Sequence, residues 1–298
     1  MNRAVRIGTR GSQLALWQAN EAAKKLSEQG YRPEIVTIKT TADKQQDVSL
    51  ASIGGKGLWI KELEEALLRG EIDAAVHSLK DVPSIISEQF VLAGFLERAD
   101  ARDAWIHLDG TPVASLPAGS IIGTSAPRRR AQLRALYPNL RVDDIRGNVD
   151  TRINKLRAGL YEGAILAAAG LLRLGRSSEI TSFFSIDEML PACGQGIIAI
   201  ETLAGNRDLG ASINHEPSAL AAHCERGVLQ KFGAALDCYS ACAVHATADE
   251  GIIAIRAFFG EIEGNRAIRV TQSGHDAGSV IDATYAALIE QGAMELVA

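Results

Sequence analysis

The chain of 298 residues contains no apolar run near the roughly 18 residues that a membrane span requires. Its first residues, Met1-Asn2-Arg3-Ala4-Val5-Arg6-Ile7-Gly8, carry charges but neither an apolar h-region nor a cleavage site. A cytoplasmic chain without signal peptide or membrane partner is therefore expected. A basic excess is also missing: Lys and Arg total 31 against 36 Asp and Glu, for a formal charge of -5. Counterion release on a nucleic acid needs a basic surface, so no nucleic-acid partner is expected. Cysteines number only four, Cys193, Cys224, Cys238 and Cys242. In a reducing compartment they point to nucleophilic or metal-binding use rather than structural cross-links.

What is present is ordinary globular composition, 47% hydrophobic and 22% charged. At roughly 150 residues per domain the length predicts about two domains, with room for a small third. The apolar run Ile72-Asp73-Ala74-Ala75-Val76 reads as a buried parallel strand that delivers His77-Ser78-Leu79-Lys80-Asp81-Val82-Pro83 at its carboxyl end. Open α/β sheets bind ligands at that edge, which makes Asp81, beside Lys80, the candidate catalytic group. The local alternative is an ion pair with Lys80 or a turn cap.

Ahead of it, strand Ala4 to Gly8 leads through Thr9-Arg10-Gly11-Ser12 into a helix from Gln13 to Ser27. This turn is either an anion cradle with Arg10 as its charge or a plain turn with Ser12 as N-cap. A second strand spans Glu34 to Lys39, and a polar stretch from Thr40 to Gly57 then ends in Gly54-Gly55-Lys56-Gly57. That stretch reads as a glycine-hinged lid or as a solvated connection. Lys61 to Arg69 is an amphipathic helix, Val91 to Phe95 a strand, and Glu97 to Asp103 a charged crossover into a second unit.

The second unit repeats the pattern. Strand Ser120 to Gly123 runs through Thr124-Ser125-Ala126-Pro127 into a helix opening with Arg128-Arg129-Arg130. Cations in a first helical turn oppose the helix dipole, at about a few tenths of a kcal/mol each, and call for an anion to neutralise them. A solvated basic face is the alternative. Strand Leu140 to Asp143 precedes Arg146-Gly147-Asn148-Val149-Asp150-Thr151-Arg152, strand Gly163 to Gly170 precedes Arg173, and strand Ile197 to Glu201 returns the chain to the first unit. Cationic turns in both units imply an inter-domain cleft for a ligand with several carboxylates or phosphates. From Ser218 a helix, three antiparallel strands (243–248, 251–258 and 266–272) and a helix from Ala277 to Glu290 make a small α+β domain. The expected boundaries are 1–97 with 197–215, 98–196, and 216–298.

Six segments together resemble the porphobilinogen deaminase (hydroxymethylbilane synthase) family: Gly8-Thr9-Arg10-Gly11-Ser12-Gln13-Leu14-Ala15, Gly54-Gly55-Lys56-Gly57-Leu58, His77 to Pro83, Gly123-Thr124-Ser125, Arg146-Gly147-Asn148-Val149 and Pro191-Ala192-Cys193-Gly194-Gln195-Gly196. The resemblance implies an α/β fold with two periplasmic-binding-protein-like domains and a small α+β C-terminal domain. It implies a monomer with a dipyrromethane cofactor joined by a thioether to a cysteine of that last domain. The implied reaction condenses four porphobilinogens head to tail, with loss of ammonia, to linear hydroxymethylbilane. It places Asp81 at the catalytic position and Arg10, Ser12, Lys80, Thr124, Ser125, Arg128, Arg129, Arg146, Gly147, Arg152, Arg173 and Gln195 among the residues that bind cofactor and substrate.

The residue types fit this chemistry independently. Loss of ammonia from an aminomethylpyrrole leaves a cationic azafulvene that a carboxylate stabilises, and arginines match carboxylates bidentately. The sequence departs from the family around the cofactor cysteine, reading Leu236-Asp237-Cys238-Tyr239-Ser240-Ala241-Cys242-Ala243 without a glycine pair or proline. Register counted back from Gly251 assigns the thioether to Cys238, with Cys242 as the fallback. Zinc on Cys238, Cys242 and His245, with His223 or Cys224, is a rival reading, although the spacing is not a standard zinc pattern. A non-catalytic binding protein for a small polyanion is the competing function.

Overall fold

A computed structural model describes residues 3–39, 60–233, 236 and 240–296. The expected lid, Thr40 to Gly57, and both Asp237 and Cys238 lie outside the described residues. The chain divides into two compact units, Met1–Ala99 with Gly196–His223 and Asp100–Gln195 with Cys224–Ala298.

The first unit is built on a five-stranded mixed sheet. Strands β1 (Arg3–Thr9), β2 (Tyr31–Thr37), β3 (Ala74–Ser78) and β4 (Phe90–Phe95) are joined by β10 (Ile198–Leu203) in the order β2-β1-β3-β10-β4. Both β2 and β3 run parallel to β1, whereas β10 is antiparallel to β3 and β4. The returning segment is thus inserted between β3 and β4, and β3 has one parallel and one antiparallel neighbour. Helix α1 (Gln13–Glu28) packs Ala19, Ala22 and Leu26 against Val5, Ile7, Val76 and Ile200. Helix α2 (Lys61–Leu68) packs Leu63, Ala66 and Leu67 on Ile72, Ala75 and Phe90. Removing the leucine, isoleucine, valine and phenylalanine side chains among these from water contributes roughly 1.5–3 kcal/mol apiece, which fixes the sheet between its helices. Arg6 is hydrogen-bonded through its Nε and Nη2 to the Asp73 carboxylate at 3.1 and 3.0 Å, locking β1 to the residue that precedes β3.

The second unit holds two sheets. Strands β5 (Asp103–His107), β6 (Ile121–Gly123), β7 (Arg141–Asp143), β8 (Gly163–Ala167) and β9 (Ser182–Phe183) lie in the order β7-β6-β8-β5-β9. Strands β7 and β8 run parallel to β6, and β5 is antiparallel to β8. Helices α3 (Pro127–Leu136), α4 (Val149–Arg157) and α5 (Ala168–Arg173) follow β6, β7 and β8. The expected strand through Gly170 stops at Ala167, where Ala168 already begins a helix. The second sheet is the meander β11 (Cys242–Asp249), β12 (Ile252–Gly260) and β13 (Ala267–Gly274), antiparallel throughout. After the short α6 (Arg207–Ala211), helix α7 (Glu216–Lys231) leads toward this sheet, and α8 (Ala277–Glu290) follows it, buried through Val280, Ile281 and Leu288. Ala131 of α3 and Leu190 pack against Ala241, Ala243 and Phe258, so a helix of the five-stranded sheet's layer shares buried contacts with the three-stranded sheet. This is an α/β architecture of two five-stranded sheets with a small α+β addition. No described helix is long and apolar enough to cross a membrane.

Candidate active site

Parallel pairing brings the carboxyl ends of β1 and β3 to one edge of the first sheet, with Ile7 opposite Ala74 and Gly8 opposite Ala75. Thr9-Arg10-Gly11-Ser12 and Ser78 to Asp81 are delivered there together. Ser12 has its hydroxyl at the helix N-cap, accepting from Ala15 N–H at 3.3 Å, and Arg10 is half-buried. Lys80 and Asp81 are exposed on a single 3-10 turn. The turn's backbone is anchored on both sides: Leu79 N–H donates to the Ile197 carbonyl at 3.0 Å and Val82 N–H to the Leu79 carbonyl at 3.1 Å.

Two polar contacts, one part-buried and one buried, brace the strand that carries this turn. Gln18, on the inward face of α1, donates through Nε2 to Ser78 Oγ at 2.7 Å. His77 Nε2 lies 3.0 Å from Glu201 Oε2 on β10, both side chains buried. Burial and the nearby Glu201 raise the Glu64 carboxyl above its ordinary range, with His77 acting in the opposite direction. A rigid support beneath a solvent-facing carboxylate suits a group that meets a ligand's developing charge.

In the second unit the same edge rule places Thr124-Ser125 after β6 and Asp144-Ile145-Arg146-Gly147 after β7. The latter segment is held by its main-chain oxygens. The carbonyls of Asp143, Asp144, Ile145, Arg146 and Gly147 accept from Thr124 N–H (2.9 Å), Tyr161 hydroxyl (2.6 Å), Ser125 hydroxyl (2.8 Å), Lys155 Nζ (3.2 Å) and Arg152 Nε (2.8 Å), respectively. Gly147 has φ +104°, and a Cβ there would lie 2.6 Å from the Thr151 side chain, so the turn requires glycine. Ser125 and Arg152, expected on the ligand, therefore also fix the loop that presents Arg146. Arg146 and Arg173 are half-buried, the latter at the end of α5.

Four of the expected ligand residues also have partners within the protein. Thr124, Arg128, Arg129 and Gln195 are all buried, and the last three converge on a carboxylate that sequence reasoning missed, Asp103. Arg128 donates to Asp103 at 2.6 and 3.1 Å, to the Leu190 carbonyl at 3.0 Å and to Gln195 Oε1 at 3.0 Å. Arg129 donates to Asp103 at 2.7 Å and to the Ile165 carbonyl at 2.9 Å, and Gln195 Nε2 donates to Asp103 at 2.8 Å. Thr124 Oγ1 accepts from Ala126 N–H at 3.3 Å. The anion that the helix start calls for is thus partly the chain's own. Burial pushes the Asp103 carboxyl up, but the two guanidinium charges and their hydrogen bonds outweigh it and hold it well below the usual carboxylate range. In the sequence Asp103 ends a charged crossover, and its position as first residue of a buried strand is what conceals it.

A second hidden carboxylate, Glu225 on α7, accepts from Gly194 N–H at 2.6 Å and from Ala246 N–H at 2.8 Å. It ties the Pro191-to-Gly196 turn to β11, the strand that follows the Cys238 segment. Burial and the adjacent Glu225 push the Cys224 thiol up to about 11. Cys193, Cys224 and Cys242 take part in no disulfide among the described residues. Among the described residues no three His, Cys, Asp or Glu side chains are grouped to hold a metal ion.

Comparison with known proteins identifies the family. Residues 5–211 match the family described as porphobilinogen deaminase, dipyromethane cofactor binding domain. The porphobilinogen deaminase of Desulfitobacterium hafniense is 43% identical over 300 residues, 98% of this chain and 96% of that protein. That of Syntrophomonas wolfei is 45% identical over 267 residues, 88% of this chain and 87% of the relative. The chloroplastic porphobilinogen deaminase of Pisum sativum is 44% identical over 282 residues, covering 91% and 76%. Among solved structures, the methionine-binding protein MetQ aligns over 70% of this chain and 86% of its own at 14% identity, with a TM-score of 0.43. The family match over most of the chain and the relatives' identity along nearly its full length carry the conclusion that this chain belongs to the porphobilinogen deaminase family.

Proposed function

We propose that the chain condenses four porphobilinogens head to tail onto a dipyrromethane primer, releasing ammonia and linear hydroxymethylbilane. The observation that carries this reading is Asp81, an exposed carboxylate on a turn whose flanking backbone and strand are fixed from beneath. Departure of ammonia from the substrate's aminomethyl group leaves positive charge spread over its pyrrole ring. A preorganised carboxylate stabilises that charge as it develops, and the same group accepts or returns protons around the reacting carbon.

Arg10, Ser12, Lys80, Ser125, Arg146, Arg152 and Arg173 bind acetate and propionate carboxylates in this reading. Arg128, Arg129, Thr124, Gly147 and Gln195 complete the cofactor-binding set in this reading and also shape the frame that holds it. The residues fit a dipyrromethane, which presents the same carboxylates. Arginines cluster at the second unit's edge, and the buried Arg129 Nε is a donor without a hydrogen-bond partner among the described residues. When bound, the dipyrromethane supplies the pyrrole carbon to which the first substrate unit is joined. Cys238 is the proposed attachment residue. The reading includes a monomeric, cytoplasmic chain, and a reducing compartment keeps cysteines out of structural cross-links.

Incubation of the purified chain with porphobilinogen tests the reaction. One ammonia for each porphobilinogen consumed, four for each linear tetrapyrrole released with uptake of one water, is expected; consumption of no substrate under conditions where a relative turns over refutes the reading.

A further inference from the structure

Of the three arginines that open α3, Arg128 and Arg129 turn inward to Asp103, whereas Arg130 turns to a half-exposed surface. There its Nη2 donates to Asp144 Oδ1 at 2.8 Å, and the other oxygen of the same carboxylate, Oδ2, lies 3.6 Å from Arg146 Nη2. One carboxylate therefore lies between two guanidinium groups, each facing a different oxygen. Such an arrangement is how arginines receive a ligand's acetate or propionate.

The carboxylate is poorly retained but well placed. Asp144 has 52% of its side chain exposed, and exposed ion pairs are weak and screened by salt. Its main chain, by contrast, is fixed by the Tyr161 hydroxyl at 2.6 Å, and the neighbouring carbonyls of Asp143 and Ile145 are held as well. The side chain alone can swing away while the loop and Arg146 stay in place.

We propose that Arg130 and Arg146 form a two-guanidinium seat for a carboxylate of the pyrrole substrate or growing chain, and that Asp144 occupies this seat as an exchangeable counter-ion in the ligand-free chain. The inference deepens the reading of Arg146 as a carboxylate ligand and adds Arg130, which that reading left out. Competition by Asp144 keeps affinity for any one carboxylate low, and a chain that must be repositioned after each addition benefits from a weak hold.

The test measures succinate binding through the arginine Nε–H NMR signals, alongside KM and kcat for porphobilinogen. Asp144→Asn is expected to tighten succinate binding and lower KM by about two- to fivefold, the range over which exposed ion pairs act. Arg130→Gln is expected to weaken both by a similar factor with little change in kcat, and to abolish the effect of Asp144→Asn in the double variant. A purely structural Asp144 gives the opposite sign, since its loss would loosen both arginines. Weaker or unchanged succinate binding in Asp144→Asn overturns the proposal. So does an effect that persists in the Arg130→Gln background, because it would reflect net charge alone. Succinate binding needs no turnover, so a chain that shows these shifts but releases no ammonia retains the seat while losing the functional reading.

Discussion

Arg128 and Asp103 are joined by two hydrogen bonds, 2.6 and 3.1 Å, inside the second unit, and Arg129 adds a third at 2.7 Å to the same carboxylate. Replacing Asp103 by Asn removes the charge that offsets two buried guanidinium groups. Breaking a buried pair in this way costs roughly 3–5 kcal/mol. The folded-state pKa of Asp103 is depressed, so its stabilisation is present in full above the unfolded value near 3.9 and is lost as pH falls toward the folded value. Denaturant unfolding of Asp103→Asn should show a large loss of stability at pH 7, with a narrower gap to the parent in strong acid. A constant gap from pH 7 to pH 2 would contradict this assignment.

Asp81 makes no comparable contribution to the core, since it is exposed on its turn. Asp81→Asn should leave the unfolding free energy within about 0.5 kcal/mol of the parent. It should lower turnover by about two to three orders of magnitude, as expected when a charge aimed at the reacting centre is removed. Comparable turnover in the variant and the parent would remove Asp81 from the mechanism.

The Cys224 thiol, buried and pushed up to about 11, stays protonated at neutral pH. Iodoacetamide applied to the native chain at pH 8 should leave it unlabelled, with modification appearing only on unfolding. Peptide mass mapping checks this, and rapid native labelling of Cys224 would show that its surroundings open.

Gly94 on β4 approaches Gly210 of α6 so closely that a Cβ would lie 2.2 Å from the Gly210 carbonyl oxygen. Backbone cannot give way as a flexible side chain can. Gly94→Ala should destabilise the first unit by about 1–3 kcal/mol, and an unchanged Tm would show that the helix shifts freely.

The first sheet was readable because its strands are short apolar runs punctuated by glycine and proline, and because the residues at their carboxyl ends are polar in a recognisable order. Ser78 illustrates the limit: the apolar run ends at Val76, yet the strand continues through His77 and Ser78, since pairing with β10 and the buried partners Glu201 and Gln18 extend it. Gln18 itself could have been noticed as a polar residue on the apolar face of α1. Asp103, Asp144 and Glu225 were not visible as site residues, because each acts on groups distant in the chain, whereas sequence patterns report neighbours. The three arginines of α3 show this best. Their spacing indicates that an anion is needed but not that two of them meet Asp103 and the third Asp144.

The central claim, covalent chain growth on Cys238, is tested most directly by intact-protein mass measurement after brief exposure to porphobilinogen. The account predicts an adduct of dipyrromethane size with further species separated by one pyrrole unit, all absent in Cys238→Ser. An unmodified mass in the parent chain, or the same adducts surviving in Cys238→Ser, would contradict it.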